Sequence, residues 1–365
     1  MAKIVIDARE YATSTGRYVS RLIHYLEVVD RENEYLILLK PADMTRYQPT
    51  NPHFQAVACP YKEFTFAEQT RLLKQVMRLK ADLVHFAVTQ QPIFYRAPHV
   101  TTIHDLTTAR FLNLDKKRTV FLVKQLVYKF VIKRVARTSA AVITPTQFVK
   151  HDVAAFSHIA SNKIVVTYEA ADRITALSTP LPNLQKNDFI MYLGRPTPHK
   201  NLPRLIEAYR QLQFEHPTLT LVLAGKQDAN YRRIAASVDQ QGIKGVYFTD
   251  FVSEGQLRWL YENCAAYIFP SLSEGFGLPG LEAMRHGAPV VSSDATCLPE
   301  VYGPAAHYFD PTDASAMADA INDVLTDQAL SARLVIAGYQ RADGYSWERM
   351  AKDTLAVYKQ VLKQA

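Results

Sequence analysis

Short apolar runs, many of them β-branched, alternate along this chain with longer stretches whose apolar positions recur every three or four residues. Runs at 3–7, 35–39, 83–86, 100–104 and 141–144 predict one series of strands. A second series is predicted at 189–193, 219–224, 246–249, 266–270 and 289–292. Several, such as LTLVL at 219–223, are continuously β-forming and nearly all apolar, which suits parallel strands covered on both faces. Strands alternating with helical patterns predict α/β layers joined by right-handed crossovers.

The two series are separated by STPLPNLQK at 178–186, where Pro180 and Pro182 among polar neighbours mark a linker. The expected fold class is α/β, with two doubly wound, Rossmann-like parallel-sheet domains facing each other across a cleft. The first is expected over 1–177 and the second over 178–345. A terminal helix over 346–365 is expected to pack back on the first domain. Ligands of such sheets sit beyond the carboxyl ends of the strands.

A length of 365 residues supports two domains, and a composition of 48% hydrophobic and 21% charged residues allows each a core. Cys59, Cys264 and Cys297 show no paired spacing, which argues against a disulfide framework or a zinc site. No apolar run reaches the ~20 residues of a membrane span, and the start at Met1 shows no signal-peptide core. A cytoplasmic location is expected, with contact at the inner face of the plasma membrane as an added expectation. The net charge of +7 is uneven. Residues 1–175 hold 25 Lys/Arg against 15 Asp/Glu, and the remainder 17 against 20. The two halves are expected to meet different partners, or different parts of one.

The richest chemistry lies in FPSLSEGFGLPGLEAMRHGAPVV at 269–291. Gly275, Gly277 and Pro279 forbid a continuous helix from Glu274 onward. Pro279 suits the first turn of a new helix and Gly287 its end. Glu274 is thus expected in a glycine loop and Glu282 on the helix after it. Free N–H groups at such a helix start favour phosphate oxygens, and carboxylates accept from vicinal hydroxyls.

This segment resembles the glutamate–seven–glutamate signature of retaining glycosyltransferases of family four, which have the GT-B fold. The resemblance continues through Gly287-Ala-Pro-Val-Val, Pro299-Glu-Val, Phe309-Asp-Pro and Tyr345-Ser-Trp347. It implies that Glu274 contacts donor-sugar hydroxyls and that the backbone of Gly275, Phe276, Gly277 and Leu278 lines sugar and phosphate. It implies that Glu282 holds the ribose, and that catalysis is retaining and independent of metal.

LGRPTPHKN at 193–201 follows a strand and precedes a helix striped by Leu202, Leu205, Ile206, Tyr209 and Leu212. Asn201 is expected as its N-cap. Arg195 and Lys200 would then emerge at a strand end, where they could take up the charge of a departing nucleoside diphosphate. No Asp-x-Asp metal motif occurs, so no metal cofactor is expected.

In the N-terminal half, TSTGRY at 13–18 enters a helix, and Gly16 could bring backbone N–H groups to a phosphate. The loop resembles the family's Gly-x-Gly-Arg-Tyr element, with Ser14 in place of the first glycine. His104-Asp105 is expected at a strand end and resembles the family's His-Asp pair, which assigns His104 to sugar positioning. Residues 116–137 carry eight basic and no acidic side chains. Val120, Val123, Val127, Phe130 and Val131 are expected on an apolar side, and Lys129, Lys133 and Arg137 on another face toward an acceptor or anionic membrane. No motif for reading nucleic acid is present.

The function expected is transfer of a hexose from a nucleotide sugar, GDP-mannose first, to a glycan or lipid-linked acceptor. The mannosyl reading follows from resemblance to bacterial mannosyltransferases of polysaccharide assembly. UDP-glucose and UDP-N-acetylglucosamine are the alternative donors. A silent nucleotide-sugar-binding protein and a GT-B-like epimerase are weaker rivals. A nicotinamide oxidoreductase is disfavoured because no G-x-G-x-x-G follows the first strand.

Overall fold

The computed structural model describes residues 1–13, 16–111 and 118–364, with the side chains of 118–123 outside that description. Seven strands form one sheet: β1 (Lys3–Asp7), β2 (Glu34–Leu39), β3 (Phe54–Ala58), β4 (Leu83–Phe86), β5 (His99–Thr102), β6 (Ala141–Thr144) and β7 (Ile164–Val166). Six form another: β8 (Phe189–Leu193), β9 (Thr220–Ala224), β10 (Val246–Phe248), β11 (Ala266–Phe269), β12 (Val290–Ser293) and β13 (Ala306–Phe309). The orders are β3-β2-β1-β4-β5-β6-β7 and β10-β9-β8-β11-β12-β13. All these pairings are parallel. In each sheet the first strand lies between the second and the fourth, so the chain reverses its direction of winding there. That switch point opens a crevice beyond the strand ends.

The central strands are as apolar as their sequence requires. Val5 pairs with Leu36 and Val84, and Ile4 to Ile6 are fully buried. Helices cover the faces with the expected stripes. Arg17–Val29 buries Val19, Leu22, Ile23 and Leu26, and Leu202–Leu212 buries Leu202, Leu205, Ile206, Tyr209 and Leu212. Each such side chain contributes about 2 kcal/mol by leaving water. The strands not anticipated, β3, β7 and β13, all lie at sheet edges.

The chain divides into two compact units, one holding Met1–Ala109, Leu122–Glu169 and Ser346–Ala365, the other holding Arg110–Phe121 and Ala170–Tyr345. Among the described residues no helix is long and apolar enough to cross a membrane.

Two buried polar assemblies fix the N-terminal unit. Just past β1, Arg9 spends its guanidinium N–H groups on Asp7, Glu68 and the carbonyls of Tyr61 and Gln90. It thereby ties together the loops that follow β1, β3 and β4. The second assembly reaches the terminal helix Trp347–Gln364, which packs on Arg17–Val29. Its Tyr358 hydroxyl lies 2.5 Å from His85 Nδ1, and His85 Nε2 lies 2.8 Å from Thr102 Oγ1. Thr102 Oγ1 is in turn 2.9 Å from the Tyr18 hydroxyl. Burial, followed by the positive charge of His104, drives His85 down to about 3, so it stays neutral in this chain of bonds.

Replacing Tyr358 by Phe leaves a buried ring nitrogen without its partner. A loss of about 1–3 kcal/mol of stability is expected in urea unfolding. An unchanged midpoint would show that the bond contributes nothing.

Candidate functional site

The loop after β8 leaves the sheet at Gly194, whose φ is +151°. A Cβ there would sit 2.6 Å from the Tyr192 hydroxyl. The chain then turns through Pro198–Lys200 into the Leu202–Leu212 helix. Asn201 does not cap this helix as expected. Its φ is +61°, which Asn tolerates, and its amide donates to the carbonyls of Pro270 and Pro311 at 3.1 and 2.8 Å. Two open strand-end carbonyls are better partners for a buried amide than the helix's own N–H groups.

That clamp brings the loop after β8 against the loop after β11. Leu272 N–H donates to the His199 carbonyl at 2.7 Å. Lys200 Nζ lies 2.5 Å from Glu274 Oε1, with both side chains less than a fifth exposed. The same ammonium sits 5.4 Å from the centre of the Phe269 ring. Glu274 is held by its backbone as well. Its N–H donates to Thr296 Oγ1 at 3.2 Å, and its carbonyl accepts from Cys297 Sγ at 3.3 Å. Burial, then the Glu274 charge, pushes the Cys297 thiol well above its usual value, so it remains a donor. Thr296 has φ +56°, a costly conformation for a β-branched residue. Neither Thr296 nor Cys297 was marked by the sequence, since their contact with Glu274 spans more than 20 residues.

Past Glu274 the helix Leu278–Arg285 begins at Gly277, whose φ is +94°. Pro279 occupies its first turn, and Gly287, at φ +80°, follows its end. The glycines meet a side chain. The fully buried Tyr302 donates from its hydroxyl to the Gly277 carbonyl at 2.6 Å, and a Cβ on Gly280 would lie 2.3 Å from that hydroxyl. Gly275 is buried, and Phe276 turns inward to place its ring 5.5 Å from Tyr345. Leu278 is half-buried at the helix start. Glu282 is buried on the helix, with Oε2 3.4 Å from the Tyr261 hydroxyl, and its carbonyl accepts from His286 Nδ1 at 2.7 Å.

Arg195 is placed differently from Lys200. Its side chain is exposed and makes no ion pair among the described residues. The structure thus joins Lys200 to Glu274 and leaves the Arg195 guanidinium open at the same strand end.

In the N-terminal unit, Gly16 precedes the Arg17–Val29 helix in ordinary right-handed geometry. It must be glycine because a Cβ would fall 2.0 Å from the Glu10 carbonyl oxygen and 2.4 Å from that of Tyr11. Ser14 lies outside the described residues. β5 ends at Thr102, so His104 stands two residues beyond the strand. His104 Nε2 is 3.1 Å from the Ala87 carbonyl and Nδ1 is 3.2 Å from Glu169 Oε1. Both partners accept, so both ring nitrogens carry protons. Burial acts to lower the His104 pKa, but the Glu169 bond and charge outweigh it and raise it above the usual 6.5. The expected free N–H for a sugar is therefore already engaged. What the residue offers is a cation favoured by Glu169, with its ring 4.7 Å from that of Tyr18.

Two domain families match this sequence. Residues 14–173 match Glycosyltransferase Family 4 and residues 175–341 match Glycosyl transferases group 1. The chain belongs to these glycosyltransferases. The O-antigen chain mannosyltransferase B of Escherichia coli is 28% identical over 378 residues, covering 95% of this chain and 96% of that one. Among solved structures, the sucrose-phosphate synthase of Thermosynechococcus elongatus superposes with a TM-score of 0.78 at 19% identity, over 100% of both chains. Anabaena Alr3699/HepE, solved in complex with UDP and glucose, superposes with a TM-score of 0.75 at 18% identity, over 99% of this chain and 100% of that one. The fold class of this glycosyltransferase is GT-B.

The glycosyltransferase's basic helix, Arg118–Thr138, differs from expectation. Its described buried face is Ile132, Val135 and Ala136, while Val127 and Phe130 are exposed and Val131 is half-buried. The side chains of Val120 and Val123 lie outside the described residues. Lys133 Nζ sits 5.1 Å from the Phe156 ring centre, and Arg137 Nε donates to the Ser157 carbonyl at 3.0 Å. These two cations bind the neighbouring Gln147–Ser157 helix, and Lys129 is half-buried. Covering that helix end turns the face away from the assignment that periodicity alone suggests.

A double-mutant cycle of Lys200→Met and Glu274→Gln should give a coupling of about 1–3 kcal/mol in unfolding free energy. Additive losses would mean the contact is not energetically formed. For His104 the sign follows from a raised folded pKa. Its stabilisation is fully present below the unfolded value near 6.5 and is lost as pH rises through the folded value. Glu169→Gln should flatten that fall in stability; an unchanged pH profile would exclude the ion pair.

Proposed function

We propose that this glycosyltransferase moves a hexose from a nucleoside diphosphate sugar, GDP-mannose first, to a glycan or lipid-linked acceptor, with retention at the anomeric carbon. The observation that carries the reading is the Lys200–Glu274 pair at the switch point of the second sheet, beside the exposed Arg195 and the start of the Leu278–Arg285 helix. A diphosphate offers Lys200 a second anion. Glu274 is then free to accept from sugar hydroxyls while Arg195 and the helix N–H groups hold phosphate oxygens. Glu282 takes the ribose hydroxyls, and Gly16 brings the backbone of its loop to the phosphate.

In the transfer step the bond from the anomeric carbon to the diphosphate oxygen breaks, and its electron pair leaves with the phosphate. The acceptor oxygen bonds to the same face of that carbon and gives its proton to a departing phosphate oxygen. Arg195 and Lys200 supply the positive charge this requires, so no bound metal is needed. His104, with both ring nitrogens engaged by Glu169 and Ala87, acts on the sugar through its charge and does not serve as a base. The reading places the protein in the cytoplasm.

Mannose is favoured by the Escherichia coli relative, a mannosyltransferase whose match spans nearly the whole chain. UDP-glucose and UDP-N-acetylglucosamine are the second reading, favoured by the UDP and glucose bound to the Anabaena protein of like fold.

Thermal shift with the three nucleotide sugars, followed by product analysis, tests the proposal. GDP-mannose should give the largest shift, and Arg195→Ala should weaken its affinity by about tenfold or more. Excess EDTA should leave the rate unchanged. No shift with any donor would sink the reading, unchanged affinity in Arg195→Ala would sink the clamp, and loss of rate restored by magnesium would sink metal independence.

A further inference from the structure

The chain leaves the first compact unit at Glu169, and residues 170–180 then run without helix or strand. This strap is nonetheless fixed at three points. Ile174 N–H donates to His286 Nε2 at 3.1 Å, Arg258 Nη1 donates to the Ala176 carbonyl at 3.1 Å, and Thr179 N–H donates to the Gly255 carbonyl at 3.0 Å. The fit is close, since a Cβ on Gly255 would fall 2.3 Å from the Leu177 carbonyl oxygen. Two of the three holds use a guanidinium and peptide groups, which do not titrate near neutrality. The third uses an imidazole, which does.

His286 is buried at the end of the Leu278–Arg285 helix. Its Nδ1 faces the Glu282 carbonyl, which can only accept, and its Nε2 faces the Ile174 N–H, which can only donate. One ring nitrogen must therefore carry a proton and the other must not. The ring stacks on that of Tyr261, with centres 5.6 Å apart and planes 17° apart. The Tyr261 hydroxyl in turn lies 3.4 Å from Glu282 Oε2. His286 thus supports Glu282 twice, directly at its backbone and through Tyr261 at its carboxylate.

The charged groups around the ring are Arg173 on the strap, Arg258 and Glu262 on the Glu254–Asn263 helix, and Glu282 on its own helix. Burial lowers the His286 pKa below its usual 6.5; Glu262 opposes this, while Arg258 and Arg173 add to it. Glu262 is already committed to Arg258 Nε, 2.6 Å away.

We propose that His286 is a positioning residue for the donor, a proton-sensitive clasp that joins the strap to the helix bearing Glu282. With the ring neutral, strap, imidazole and Glu282 are bonded in one line. A proton taken up at Nε2 sets one donor against another, so the Ile174 bond is lost and the ring is pushed from its seat on Tyr261. The Arg258 and Gly255 bonds still hold the strap, so acid opens the clasp and not the fold. Because the folded pKa is lowered, the clasp is intact above the unfolded value and is lost as pH falls through the folded one. The acid-labile bond stands on the structure alone; its consequence for a ribose at Glu282 rests on the transferase reading above.

The test is hydrogen exchange of the full chain between about pH 7.5 and pH 5, corrected for intrinsic rates. Protection of the Ile174 amide should fall about tenfold or more on acidification, while the Thr179 amide, bonded to a peptide carbonyl, keeps its protection. His286→Gln retains an acceptor that does not titrate and should hold Ile174 protection flat across the range. His286→Phe retains the stacked ring without nitrogens and should lose that protection at every pH, with Thr179 reporting that the variant is folded. Constant Ile174 protection in the wild-type chain, an equal fall in the Gln variant, or intact protection in the Phe variant would overturn the clasp. GDP-mannose is the second readout: acidification should raise its KM by about threefold or more in the wild-type chain relative to His286→Gln, with the ratio of their kcat values unchanged. Equal KM changes in the two would overturn the positioning role even with the clasp confirmed. If no nucleotide sugar is turned over at all, the transferase reading fails, and the exchange result still decides the clasp.

Discussion

The contact between Lys200 and Glu274 is the constraint on which the C-terminal unit's loops depend. Its charges come from the loops that follow β8 and β11, neighbouring strands at the switch point. Each is too enclosed to be left alone, and each is the other's compensation. Several further bonds hold the same loops around that contact. The Asn201 amide bridges Pro270 and Pro311, His199 receives the Leu272 N–H, and Thr296 and Cys297 grip both backbone groups of Glu274. A carboxylate fixed at backbone and side chain loses little freedom when it exchanges one partner for another. Such preorganisation is what transition-state electrostatics requires. In the proposed reaction the pair is a resting state: the donor's phosphate displaces Glu274 from Lys200, and the released carboxylate meets the sugar that arrives with it.

Glycine serves this site in two ways. Gly277 supplies a left-handed turn at the helix start, and Gly277 with Gly280 leaves room for the ring and hydroxyl of Tyr302. The family resemblance implies that the Gly275–Leu278 backbone lines sugar and phosphate. The space beside these two is already filled by an aromatic side chain more than 20 residues away. Phe276 also turns inward, so in the proposed site this loop offers a donor its backbone and not these side chains. The proposed recognition by backbone N–H groups at the helix start would then follow from packing as much as from ligand demand.

What could be read from the chain, and what could not, divides along physical lines. Central strands such as β1, β6 and β8 were legible because burial on both faces demands continuous apolar residues. The edge strands β3, β7 and β13 have one neighbour each and carry polar or short segments, so that demand is relaxed. The helix beginning at Gly277 and closing near Gly287 was legible because turn chemistry is local. The role of Asn201 was not, because its partners lie about 70 and 110 residues away. The face of the basic helix was misread for the same reason. What a helix buries depends on which neighbour covers it, and Phe156 and Ser157 draw cations where periodicity alone would place solvent.

The N-terminal unit shows how two histidines of one sheet are driven to opposite states. His85 is enclosed among hydroxyls, with no anion in contact, and burial keeps it neutral. His104, on the next strand's exit, meets Glu169 and a carbonyl, and the Glu169 bond and charge outweigh burial and favour its charged form. Each state reinforces the other, since a charged His104 disfavours a second cation nearby and a neutral His85 imposes no repulsion on the first. The Tyr358–His85–Thr102–Tyr18 bonds end against the ring of His104, so the terminal helix bears on the orientation of that cation without touching it. A doubly protonated imidazole cannot accept a proton. In the proposed transfer the base comes from elsewhere, and the departing phosphate, the strongest anion that reaction generates, is the group with the charge to serve.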